Sequence, residues 1–374
     1  MRFDNVRILG EDFKFRTGSV TVSDGVFSDK PDCARRDCGG LMMLPGLVDI
    51  HTHGALGFDN MDESLEAQKE IGRFMLENGV TTFLPTIMTE TRERLIGAAK
   101  NIAAAIKFGT GGARIGGIYM EGPYFSAKYK GAQCEDFLRD PDFDEFCEIN
   151  AASGGIIRVV SLAPERAGAA DFIRKASKVC RVAMGHTDAD FEAAEAAIDA
   201  GATVLTHTFN AMRPLKHRDP NAIGAALGSK VMCECIADGK HVAPVVVKIL
   251  YNAVGADRLV FISDSLRCAG LADGKYTMAD GREITVRNSL AYLEDGTIAG
   301  SVLKLNKGVW NVFENTDLPL WQCVKCASLN PATMLGIADK KGSLDIGKDA
   351  DIIITDNEFN VNTTIIGGTV RYGA

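Results

Sequence analysis

The hydrophobic positions of this chain come in two alternating kinds of run. Eight short β-rich stretches recur: "LVDIHTH", "VTTFLPTIM", "RIGGIYMEG", "IIRVVSLAPE", "VAMGHTDA", "TVLTHTFNAM", "KVMCECIADG" and "RLVFISDS". Stretches of helical periodicity lie between them. In "ETRERLIGAAKNIAAAIKF", Leu95, Ile96, Ala99, Ile102, Ala103 and Ile106 fall on one face of a helix, and "DADFEAAEAAIDAGA" and "APVVVKILYNAVGA" read the same way. Eight β/α units of this length predict an α/β fold of the (β/α)8, TIM-like barrel type, in which chemistry sits where the strands end.

The two ends of the chain follow another rhythm. "VRILGEDFKFRTGSVTVSDGVF" alternates like short strands and carries an Asp-Gly turn, and "KGSLDIGKDADIIITDNEFNVNTTIIGGTVRYG" has the same character. The predicted organisation is a barrel over 44–342, with residues 1–43 and 343–374 as two halves of one small β-sandwich domain. "YTMADGREITVRNSLAYLEDGTIAGS", after the eighth run, predicts a hairpin excursion forming a flap at the barrel mouth.

Composition narrows the function classes. With 374 residues and 46% hydrophobic content the chain can bury a full core, and its formal charge of −8 argues against nucleic acid as the main partner. "MRFDNVRILGEDFKF" has no uninterrupted apolar core and no stretch is long enough to span a bilayer, so the expected location is the cytoplasm, without membrane contact. The ten cysteines are scattered, which fits buried free thiols. The one CxxC, Cys323 to Cys326, lies in a helical stretch with no second pair, and Cys233 and Cys235 alternate along a predicted strand; both pairs read as structural.

Candidate chemistry stands at the ends of the β-rich runs. Leu47, Val48 and Ile50 form a short buried strand, so His51 and His53 at alternate positions project to one side, where two imidazoles can share a metal ion. Glu121 ends the third run, His186 the fifth, His207 the sixth, His241 the seventh and Asp264 the eighth. Five of the six histidines thus occupy strand ends. Glu121 would face an apolar interior unless a cation or donor compensates it.

These residues sit in motifs that resemble one known family. "PGLVDIHTHG", "MEGPYFSAKYKGAQ", "GHTDA", "THTFNAM", "HRDPNAIGAAL", "IADGKHVAP", "SDS", "GTIAGSVLKL" and "NPATMLGIADKKGSLDIGKDADIII" appear in the order found in the amidohydrolases, and among them the amino-sugar-phosphate deacetylases. The resemblance spans essentially the whole chain. It implies a metal-dependent hydrolase barrel that cleaves the acetamide of N-acetyl-D-glucosamine 6-phosphate, giving D-glucosamine 6-phosphate and acetate in amino-sugar catabolism. The alternatives are N-acetylgalactosamine 6-phosphate or another small N-acyl substrate.

The resemblance further implies one divalent ion on Glu121, His186 and His207, and a second on His51 and His53. Zinc is the expected ion, with iron, manganese or cobalt as alternatives. Asp264 is then the catalytic acid and base and His241 the catalytic histidine beside the substrate. Ala132, Gln133, Asn210, Ala211, Arg218, Ile298, Ala299 and Gly300 join His241 as substrate contacts. Arg218, helped by His217, would hold the phosphate from the neighbouring subunit of a homodimer. Three positions depart from the family pattern: Gln133 replaces a histidine, Ser265 follows the acid in "SDS", and Lys304 follows Leu303, which predicts a more positive pocket rim.

Overall fold

A computed structural model of the chain describes residues 1–9, 14–30 and 34–373. Eight parallel strands form a barrel: β1 (Leu47–Thr52), β2 (Val80–Met88), β3 (Ile118–Glu121), β4 (Ile157–Leu162), β5 (Arg181–Met184), β6 (Ala202–Leu205), β7 (Met232–Ile236) and β8 (Leu259–Ile262). Each pairs with the next in chain order. Backbone bonds from Asp264 N to His51 O (2.9 Å) and from His53 N to Ser265 O (2.8 Å) close the ring between β8 and β1.

One helix follows each strand: α1 (Leu65–Glu77), α2 (Arg92–Phe108), α3 (Phe143–Ala152), α4 (Ala169–Ala176), α5 (Phe191–Ala200), α6 (Asn221–Leu227), α7 (Pro244–Val254) and α8 (Leu305–Asn315). Local sequence sets several of their starts. Ser64, Thr91, Asp142 and Asp190 cap α1, α2, α3 and α5 by accepting backbone N–H bonds, and Pro244 opens α7 where its missing N–H costs nothing.

The buried stripe of α2 differs from the predicted one. Leu95, Ala98, Ala99, Ile102 and Ala105 are buried, Ile96 and Ala103 are half-buried, and Ile106 is exposed. The stripe is rotated toward the alanines because their small side chains let the helix lie close to the barrel and its neighbours; apolar periodicity alone does not weigh side-chain size.

Inside the barrel, Val48, Ile50, Leu84, Tyr119, Val204 and Ile262 are among the side chains of a packed plug closed below by Met334. The barrel is therefore filled, and the strand ends stand on a solid floor. Cys233 and Cys235 face the outer layer, whereas Ile236 belongs to the plug, as strand alternation requires. All nine described cysteines are free, and Cys323 and Cys326 are buried on the helix Leu320–Cys326.

Both chain ends enter one eight-stranded sheet. Met42–Pro45 pairs with Ile352–Thr355, and a two-residue Asp24–Gly25 turn, both residues at positive φ, joins Phe15–Ser23 to Val26–Ser28. Phe27 N bonds Lys348 O and Ala350 N bonds Gly25 O, so the sheet folds back over a core that includes Phe3, Val22, Ile352 and Ile365. After β8 the predicted excursion is a four-stranded antiparallel sheet, Gly274–Thr277, Glu283–Arg287, Leu290–Leu293 and Ile298–Ser301. Among the described residues no helix is long and apolar enough to cross a membrane.

Candidate active site and metal centre

Four imidazoles and two carboxylates meet at the end of the barrel where the strands finish. His51 lies within β1 and Glu121 is the last residue of β3; His186, His207 and Asp264 each stand two residues beyond their strands. Those last three share a left-handed backbone, at φ of 47°, 23° and 47°. Non-glycine residues adopt it uncommonly, His and Asp more often than most, and such positions concentrate at functional sites.

Glu121 is the hub. Its Oε1 lies 3.3 Å from His51 Nε2, 3.3 Å from His186 Nε2 and 3.2 Å from His207 Nε2, while its Oε2 lies 3.3 Å from His53 Nε2. Asp264 Oδ1 is 3.5 Å from His51 Nε2 and 3.3 Å from His53 Nε2. Two donor sets result, His51–His53–Glu121 and Glu121–His186–His207, each with its ligand atoms within 4.8 Å of one another.

The far side of each ring shows what the near side offers. His51 Nδ1 faces Glu234 Oε2 at 3.1 Å, His186 Nδ1 faces the Tyr129 carbonyl at 3.2 Å, and His207 Nδ1 faces the Asn210 carbonyl at 3.2 Å. All three partners only accept, so each Nδ1 carries the proton and each Nε2 presents a lone pair inward. His186 Nε2 and His207 Nε2 stand 3.0 Å apart, and buried His51 Nε2 has no hydrogen-bond partner although carboxylate oxygens ring it. Converging lone pairs and carboxylates call for a cation, and nitrogen donors with one carboxylate suit a divalent ion.

The electrostatics agree. Burial pushes the Glu121 carboxyl up, but the neighbouring imidazoles of His51, His186 and His207 pull harder and hold it well below the usual range. Burial pulls the His53 imidazole down, yet Asp264 and Glu121 beside it raise it to about 9. Asp264 is likewise pressed up by burial and brought below its ordinary value by His51 and His53. These carboxylates are therefore ionised, and either protonated imidazoles or a bound cation supplies the compensating positive charge.

A cavity of about 440 Å³ opens above this cluster. His241, Ala132, Gln133, Asn210, Ala211, Ile298, Ala299 and Gly300 all line it. Gly131, at φ 56°, brings the Lys130–Gln133 loop so close to the His186 ring that an added Cβ would sit 3.3 Å from Cε1. The flap contributes Asp295, Thr297 and Ile298 to the opposite wall.

Four further residues of the motifs lie outside the cavity lining. Arg218 and His217 are exposed and do not line the cavity of their own chain. Lys304 does not sit on the rim: it precedes α8 and holds its ammonium over the Phe74 ring, 5.6 Å from the centroid, beside a separate depression. Lys128 and Lys130 line the cavity instead. Ser265 has a structural explanation, since its hydroxyl bonds Thr52 Oγ1 (2.8 Å) and the Gly54 carbonyl (3.0 Å) across the closing seam.

Two residues of the site escape motif reading. Glu234 is fully buried on β7; its Oε2 accepts from His51 Nδ1 and from the backbone N of His207 (3.2 Å), tying one donor set to the other. Its signal is a carboxylate between Cys233 and Cys235, on the inward parity of the strand. Asp238 Oδ2 holds His241 Nδ1 at 2.6 Å, fixing the ring that faces the cavity. That signal is a spacing of three residues within one loop.

Known proteins share this arrangement of the chain. Residues 42–371 match the family model described as the amidohydrolase family. The chain is 37% identical over 384 residues to the N-acetylglucosamine-6-phosphate deacetylase of Bacillus subtilis, covering 98% of this chain and 96% of that one. It is 34% identical to the N-acetylgalactosamine-6-phosphate deacetylase of Escherichia coli O157:H7, covering 97% of each. Among solved structures, a mutant N-acetyl-D-glucosamine-6-phosphate deacetylase of Mycobacterium smegmatis in complex with N-acetyl-D-glucosamine-6-phosphate superposes with a TM-score of 0.92 at 30% identity, over 99% of both chains. The chain belongs to the amidohydrolase family, among its deacetylases of N-acetylated amino-sugar 6-phosphates.

Proposed function

We propose that the protein hydrolyses the acetamide of N-acetyl-D-glucosamine 6-phosphate to D-glucosamine 6-phosphate and acetate. The observation that carries this reading is the convergence of His51, His53, Glu121, His186, His207 and Asp264 beneath a cavity wide enough for a hexose. Glu121, His186 and His207 would hold one divalent ion, and His51 and His53 with Glu121 a second; zinc fits the nitrogen-rich set best. A divalent ion there supplies an acidified water and a Lewis acid for the carbonyl.

The chain's own groups perform the rest. Asp264 takes the proton of the attacking water and later gives it to the sugar nitrogen, which must be protonated before it can leave. His241, its Nδ1 held by the Asp238 carboxylate, faces the amide oxygen, and as an imidazolium it donates its Nε2–H there as negative charge develops. The methyl side of the acetamide meets Leu266 and Ile236 on the cavity wall, and the flap residues Ile298 to Gly300 exclude water. In this reading Arg218 meets the phosphate of a neighbouring subunit in a homodimer, because its fork suits phosphate oxygens and it is exposed outside its own cavity.

The test is acetate release from a panel of N-acetylated hexosamines, phosphorylated and not, with metal content determined on the same preparation. Turnover much faster on the 6-phosphates than on the unphosphorylated sugars, with the gluco epimer preferred, is expected. Preference for the galacto epimer would instead select N-acetylgalactosamine 6-phosphate, the second reading, which the E. coli relative supports. No turnover of any of them by metal-loaded protein would overturn both.

A further inference from the structure

Gln133 is buried over the site, on the loop that follows β3. Its amide is polarised in one direction only. The backbone N–H of Thr89, just past the end of β2, donates to Gln133 Oε1 at 3.0 Å, and a backbone N–H can do nothing else. Gln133 Nε2 must then be the other end of the amide, and it donates to Glu121 Oε2 at 2.7 Å. A flipped amide would set its oxygen against a carboxylate and its NH2 against an N–H, two repulsive contacts.

We infer that Gln133 is a positioning residue for the ligand shared by the two metal sites, fixing the Glu121 carboxylate so that both sites can be filled. With one lone pair of Oε2 taken by Gln133, the carboxylate plane is set: Oε1 turns to His186 and His207, with His51 Nε2 also 3.3 Å away, and the remaining lone pair of Oε2 turns to His53, 3.3 Å away. Without that anchor the carboxylate can rotate to give both oxygens to the His186–His207 side, which leaves His51 and His53 with Asp264 but without Glu121. A neutral donor suits the task, since it orients Glu121 without competing for the cation as an anion would.

The inference rests on the reading of Glu121 as a ligand common to both sites. It is tested on the full chain loaded with cobalt, by following metal content and the visible cobalt absorption as a competing chelator is added. The natural chain should hold two ions. Gln133→Met, similar in size but unable to hydrogen-bond, should lose one of them at a chelator concentration at least about tenfold lower while keeping the other. Gln133→Asn, one methylene too short to span Thr89 and Glu121, should behave the same way, and Gln133→His, whose ring N–H can reach Oε2, should restore much of the loss. Release curves for Gln133→Met and Gln133→Asn that superpose on that of the natural chain would overturn the inference and leave Gln133 as a substrate contact alone. A natural chain holding fewer than two ions would overturn the two-site reading, and the inference with it.

Discussion

At the scale of single residues, Asp264 carries the sharpest expectation. In the proposed reaction it moves a proton twice, so Asp264→Asn, which keeps shape and loses the proton, should lower turnover by about a hundredfold or more with metal content unchanged. A purely structural strand-end acid would instead lower stability and leave specific activity normal in the folded fraction. Steady-state rates beside elemental analysis separate the two. The residues that hold the site were legible because their chemistry is unusual where they stand: histidines and a glutamate ending apolar strands have few bland explanations. Glu234 and Asp238 were not, because they act through other side chains. A carboxylate that orients an imidazole leaves at most a faint local signature, such as the three-residue spacing of Asp238 and His241, and the pairing of Glu234 with His51 spans 183 positions.

At the scale of elements, strands were easier to read than helix faces. The run "VTTFLPTIM" is β2 in full, buried at every position, because a barrel strand packs on both sides. The stripe of α2 departs from its apolar periodicity because the alanines Ala98 and Ala105, and not Ile96 and Ile106, are buried. The flap was legible as hairpins, but its attachment was not. Arg282, on the turn between its first two strands, donates to the Ala132 carbonyl at 2.6 Å and so latches the flap to the loop across the cavity. Removing the latch in Arg282→Ala should raise KM for the sugar phosphate by up to about tenfold with little change in kcat, since a charged hydrogen bond at a half-buried position contributes about 1.5 kcal/mol at the low end of its range. An unchanged KM would mean that the flap is held by its own sheet.

At the scale of the whole molecule, Arg218 sets the question. Its own chain gives it no place in the cavity, so its proposed role requires a second copy. Arg218→Ala should reduce kcat/KM for the 6-phosphate by the equivalent of a few kcal/mol of transition-state stabilisation at most, and barely affect the slow reaction with unphosphorylated sugar. Mixing Arg218→Ala subunits with Asp264→Asn subunits should restore activity, because a mixed dimer with crossed sites contains one site with both residues. Equal loss on both substrates, or no recovery on mixing, would remove the shared-site proposal. The overall architecture was legible from the eight β/α repeats, whereas assembly was not, since one chain's surface does not state which of its exposed charges another copy will cover.

The bonds that close the barrel have a further bearing on how the protein comes apart. The same residues that supply the candidate ligands and the acid, His51, His53 and Asp264, also supply the backbone bonds joining the last strand to the first. Chemistry and ring closure are therefore one thermodynamic unit: whatever orders those side chains also holds the seam shut. Each tenfold rise in free metal above its dissociation constant should add about 1.4 kcal/mol to unfolding. The melting temperature should accordingly fall on chelation and recover on re-addition, and the amide hydrogens of His53 and Asp264 should exchange with solvent before those of β4 and β5 do. A chelated protein whose seam amides stay as protected as the rest of the barrel would show that closure is independent of the site. If the coupling holds, the barrel opens like a zip from the end where catalysis happens, and starvation for metal would expose the protein to proteolysis there before it lost the remainder of its fold.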